Sequence, residues 1–129
     1  MDLQHFAQRY AHAWCSDDPA KVAAFFSANG SLKVNDGAPA VGRRAISDVA
    51  QGFMTAFPDM IVSMDEVSPN EGGAVFRWTL VGTNTGPGGT GNRVRISGFE
   101  EWRFGKNGLV GESRGHFDEA DYQRQLSGR

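Results

Sequence analysis

The chain has 129 residues, a formal net charge of −2 and a pI near 5.9. That length suits one domain, spanning 1–129, with a core of its own, and the mild acidity offers no basic footprint for nucleic acid. With 40% hydrophobic and 22% charged residues the composition is that of an ordinary soluble protein, and no apolar run reaches the roughly 18 residues of a membrane span.

The opening MDLQHFAQRY has no basic segment ahead of an apolar one, so no signal peptide is expected. The single cysteine, Cys15, excludes an internal disulfide and fits a reducing cytoplasm. Seventeen glycines imply many turns and bulges, hence a curved sheet.

Residues 2–16 read as a helix with Leu3, Phe6, Tyr10 and Ala13/Trp14 on one stripe. Asp18-Pro19 restarts a short helix, as an N-cap followed by proline at the first helical position. That helix carries Val22, Phe25 and Phe26 and is expected to stop at Asn29-Gly30. Ser31 to Val34 is a short strand, and Asn35-Asp36-Gly37 a turn. A third helix runs from about Arg43 to Phe57, with Ile46, Val49, Phe53 and Phe57 as its stripe, until Pro58 ends it.

Beyond Met60 the pattern is β-rich. Residues 60–68 form one strand and 74–85 another, with Phe76, Trp78, Leu80 and Asn84 in phase. The loop TGPGGTGNR joins strand to strand, so it lacks the helix N-terminus that phosphate binding needs. From Arg93 the chain alternates on both sides of a Gly-Lys-Asn-Gly turn, and a short amphipathic tail follows. Ile96, Gly98, Glu100, Trp102 and Phe104 share one face of the first of these strands. Glu100 is therefore in phase with apolar neighbours, and an unpaired buried carboxylate is costly, so either a pocket or a shifted strand register is indicated.

The expected fold is α+β: three N-terminal helices packed on a strongly curved, mostly antiparallel sheet, a cone-shaped barrel whose open end is a ligand cavity. His5 and His12 lie seven apart with no ligand cluster, so no metal site is expected. Cys15 precedes aspartates and has no histidine partner, which argues against a nucleophile. No Gly-x-Ser-x-Gly string is present.

Several strings resemble the nuclear transport factor 2-like superfamily, in its branch of SnoaL-like polyketide cyclases and ketosteroid isomerases. They are QRYAHAWCSDDPAKVAAFF, FPDM at 57–60, RWTLVGTNTGPGGTGNRVRISGFEEWRF and GHFDEADYQRQL, and together they cover nearly the whole chain. The resemblance implies a cofactor-independent enzyme that moves a proton next to a carbonyl, in isomerisation or aldol-type cyclisation of a small hydrophobic substrate. Tyr10 falls where ketosteroid isomerases place a helix-one tyrosine, and Glu100 where they place a protonated acid. Both are expected to donate to an oxyanion. The general base position lands on Val34, so Asp36, two residues on, is the candidate base. Gly115 stands where epoxide hydrolase-like relatives carry an aspartate.

Each of these residues also has a plain reading: Tyr10 as a core tyrosine, Glu100 as a rim ion pair, Asp36 as a solvated turn residue. Trp14, Phe53, Trp78 and Trp102 are expected to line the pocket, and Ser113 and Phe117 to face it. His116 has the opposite phase, with Glu112 and Arg114. The other sheet face carries Arg77, Thr79 and Thr83 beside Phe99, Glu101 and Arg103, and a homodimer through it is expected. The alternatives to an enzyme are a hydrophobic ligand-binding module and a dimerisation domain.

Overall fold

A computed structural model describes residues 1–128. The elements in chain order are α1 (Leu3–Trp14), α2 (Pro19–Ala23), β1 (Phe26–Val34), β2 (Ala40–Val41), α3 (Arg43–Ala56), β3 (Ile61–Asn70), β4 (Gly73–Thr83), β5 (Arg93–Phe104), β6 (Val110–Phe117) and α4 (Glu119–Leu126). The fold is α+β, and its six-stranded sheet has the order β2-β1-β6-β5-β4-β3. Only β1 and β6 run parallel; every other neighbouring pair is antiparallel.

Two expectations about the layout change. The sheet ends in two edges, β2 and β3, so it is not closed into a barrel. Three helices do precede β3, but β1 and β2 lie between α2 and α3, and the tail forms a fourth helix, α4. Asp118 caps α4 by accepting from the Asp121 amide at 2.9 Å, a standard N-cap bond.

The second helix is also shorter than its apolar spacing implies. It ends at Ala23, and Phe26 opens β1 opposite Val110 instead of continuing a helical face. The Phe25 carbonyl accepts from the Val110 amide at 2.9 Å, and the Phe26 side chain is fully buried. Pairing with a strand more than eighty residues away overrides local helical spacing. Gly30 is then a close-approach residue rather than a helix stop: a Cβ there would sit 2.9 Å from the Val110 carbonyl oxygen.

Elsewhere local chemistry decides. Asp2 caps α1, accepting from the His5 amide at 3.0 Å, and Phe6, Tyr10 and Trp14 are buried on its inner stripe. Asp18 caps α2 with Pro19 at the first position. α3 buries Ile46, Ala50 and Met54, and Phe57 closes it, nearly inaccessible to solvent. β4 and β5 pair without a break from Gly73↔Arg103 to Thr83↔Arg93. This uninterrupted ladder places Phe76, Leu80, Ile96 and Trp102 on the core face. Gly108, at φ +76°, supplies the left-handed residue of the β5–β6 connection. No helix among the described residues is long and apolar enough to cross a membrane.

Candidate active site

The unbroken β4–β5 ladder and the α1 stripe converge on one carboxylate. Glu100 faces the core from β5 and is 7% exposed. Tyr10 reaches it from α1, its hydroxyl donating to Oε1 at 3.0 Å and lying 3.2 Å from Oε2. The Trp102 indole, two residues along the same strand face, donates to Oε1 at 3.0 Å. The Ser113 hydroxyl donates to Oε1 at 2.7 Å from β6, where Ser113 pairs with Trp102. Tyr10 and Ser113 are themselves completely buried.

This cluster is how the fold tolerates an acid in an apolar layer. Burial raises the Glu100 carboxyl above the usual glutamate range, while the bonds from Ser113, Trp102 and Tyr10 pull it back down. Burial also pushes the Tyr10 phenol well above its ordinary range, and the neighbouring Glu100 charge adds to that. Tyr10 therefore stays protonated and remains a donor. An indole N–H can only donate, so Oε1 is an acceptor in either state of the acid. Among the described residues Oε2 has just the long shared contact to Tyr10, and it is the oxygen left to carry or receive a proton.

Glu100 also forms part of the wall of an apolar cavity of about 60 Å3. Trp14, Phe53, Trp78 and Phe117 line the same cavity. Val34, Phe76 and Gly115 are among the further wall residues. Among the described residues Glu100 is the only ionisable side chain on that wall. Gly115 pairs directly with Glu100, and its missing side chain leaves space over the carboxyl.

The other residues singled out in the sequence are placed differently. Tyr10, Trp102 and Ser113 are not on the wall; they stand behind Glu100 and hold it. Trp102 stacks on Phe76, with ring centres 4.9 Å apart and planes 11° from parallel. Asp36 is not brought to the cavity. Asn35 takes φ +50° and the Gly37 amide donates to the Val34 carbonyl, so the chain turns before Asp36 can continue the Val34 face. Asp36 is exposed in a separate depression with Lys33, Arg114 and His116. His116 lies on the outer face, 2.7 Å from Glu101 and stacked on Phe99.

The role of Ser113 as a donor to Glu100 is not visible in one sequence, because it depends on β5–β6 register. Strand alternation alone marks Phe76, Leu80 and Ile96 as inward-facing, and they too stand on the wall.

Solved structures share this architecture. A protein of ketosteroid isomerase-like fold from Catenulispora acidiphila, in complex with trimethylamine, superposes with a TM-score of 0.82 at 15% identity, over 94% of this chain and 91% of its own. A provisionally assigned SnoaL-like polyketide cyclase from Jannaschia sp. CCS1 gives 0.80 at 15% identity, over 100% and 96%. SalBIII, an epoxide hydrolase/cyclase-like enzyme of pyran ring formation in the polyether salinomycin, gives 0.77 at 16% identity, over 92% of each chain. At such identities the likeness is one of fold. No curated protein matches this sequence. The SnoaL-like domain model matches residues 7–112, most of the chain, and the protein therefore belongs to the SnoaL-like family of the nuclear transport factor 2-like superfamily.

Proposed function

We propose that the protein is a cofactor-independent enzyme that moves a proton at the carbon next to a carbonyl, in isomerisation or ring closure of a small hydrophobic substrate. The observation that carries this reading is the position of Glu100, among the described residues the single ionisable group on an apolar wall, held from behind by three donors. Glu100 is the base rather than an oxyanion donor, because Asp36, the base expected from the sequence, lies in a separate depression. Tyr10 acts through Glu100 and not on the substrate.

The step balances without a further reactant. Ionised Glu100 takes the α-hydrogen on Oε2, the C–H electron pair moves into the carbon–carbon bond, and the carbonyl oxygen becomes an enolate. Oε2, free to exchange its proton with solvent, then returns a proton to carbon at the original or a conjugated position, or the enolate attacks a second carbonyl within the substrate, whose oxygen takes the proton from Oε2 as a new hydroxyl. Burial raises the affinity of Glu100 for a proton, which makes it a stronger base once ionised. The modest cavity suits the reacting end of a ligand, with any larger remainder outside.

The test is deuterium uptake from deuterium oxide at the α-carbon of β-tetralone. The wild type should catalyse it, and Glu100→Gln should lose about 10²–10⁴-fold, the usual worth of a positioned base. Binding of β-tetralone with no exchange above background would replace the enzyme by a ligand-binding module.

For the assembly, we propose a homodimer through the outer sheet face. Phe99 there is covered by the Arg77 guanidinium at 5.3 Å and stacked on His116 at 4.7 Å, an aromatic set within a charged surround.

A further inference from the structure

We propose that the indole N–H of Trp78 is the cavity's donor for the ligand's carbonyl oxygen, so that the site selects compounds presenting a hydrogen-bond acceptor next to the carbon that faces Glu100. Resting on the proton-transfer reading above, this adds a second polar contact to a wall that otherwise offers one.

Trp78 Nε1 is buried and has no hydrogen-bond partner; among the described residues it is the only buried side-chain nitrogen or oxygen in that condition. Buried polar atoms are almost always paired, and an orphan in a cavity wall calls for a ligand that completes it. Trp102 makes the contrast, since its indole N–H is committed to Glu100 at 3.0 Å. Trp78 lines the same cavity as Glu100.

Register sets the spacing. Trp78 pairs with Gly98, and Glu100 is the next residue on the same face of β5. Such diagonal neighbours stand about 7–8 Å apart at the backbone. The indole leans across β5 because Gly98 has no side chain: a Cβ there would lie 2.6 Å from Trp78 Cζ2, the ring atom on the N–H side. That side of the ring therefore lies against the strand that bears Glu100. A ketone can bridge the two groups, with its oxygen on the indole and its α-hydrogen towards Oε2. As that hydrogen leaves, negative charge develops on the oxygen, where a fixed donor counts most.

Proton–nitrogen correlation spectra of the three indoles, with Trp78→Phe to assign the signal, test this with β-tetralone and with tetralin, the same skeleton without oxygen. β-Tetralone should move the Trp78 indole proton downfield and tetralin should not. Trp78→Phe should weaken β-tetralone about tenfold and leave tetralin within about twofold, as expected for one hydrogen bond to a buried donor. If the variant does not fold, the paired wild-type titrations decide. β-Tetralone that binds and exchanges through Glu100 while the Trp78 signal stays fixed would overturn the donor role and leave the Glu100 reading intact. Neither binding nor exchange in the wild type would overturn both.

Discussion

The Tyr10 hydroxyl lies 3.0 Å from Glu100 Oε1, and of these two residues only Glu100 stands on the cavity wall. The pair is therefore layered, with the phenol behind the carboxylate and away from the cavity. Tyr10→Phe keeps the ring, which packs edge-on against Phe76 and Trp102, and removes only the donor. It should cost about 1 kcal/mol in urea unfolding. The loss should be greater on the alkaline side of the Glu100 titration, because bonds to a charged acceptor are stronger. Under the proposed mechanism proton exchange should slow while ligand affinity changes little, since Tyr10 is not among the wall residues. An unchanged rate would contradict the part proposed for Tyr10.

Gly98 holds the geometry of the Trp78 indole. An alanine Cβ would overlap the His116 carbonyl oxygen and come within 2.6 Å of the ring. Gly98→Ala should destabilise the fold by about 1–3 kcal/mol, as overpacking generally does. It should also change the near-ultraviolet circular dichroism of the tryptophans. Full stability with an unaltered spectrum would mean that β5 yields there at little cost.

The proposed dimer is read out by mass in solution. Size-exclusion with light scattering should give about twice the 14.0 kDa chain mass at micromolar concentration. Phe99→Asp, which puts a charge between Arg77 and His116, should shift the population towards monomer. A wild-type monomer would sink this interface.

Asp59 pins the approach to β3 onto the end of β4. It accepts from the Thr83 amide at 2.7 Å and from its hydroxyl at 2.8 Å. These bonds hold its carboxyl below the ordinary range. Its contribution is thus present above the unfolded-state pKa, ~3.9, and is lost as pH falls through the lower folded value. Asp59→Asn should flatten that acid limb of the stability profile. An unchanged limb would place the acid sensitivity elsewhere.

The anomaly in the β5 pattern is legible in the chain: a glutamate in phase with Ile96 and Trp102 is what alternation shows, and the structure puts that glutamate on the cavity wall. Strand alternation and helix stripes suffice for that, because each is set by near neighbours. The partners of Glu100 follow a different logic. Tyr10 lies ninety residues away and Ser113 reaches it through the β5–β6 register, so neither contact has a local signal. Phe26 fails as a helical residue for the same reason, its place being set by Val110. Asp36 fails through one backbone angle, the positive φ of Asn35, which ends the strand phase that had pointed it inward.

The central claim, that Glu100 is a buried acid whose proton affinity is raised, is tested most directly by NMR titration of its side-chain carboxyl, assigned with Glu100→Gln. A raised folded pKa means that its stabilising contribution is complete below the unfolded value of ~4.3 and is lost as pH rises through the folded one. Wild type should therefore lose stability relative to Glu100→Gln across that window. The account predicts a Glu100 midpoint clearly above ~4.3; a midpoint at or below it, with stability lost on acidification, would contradict it.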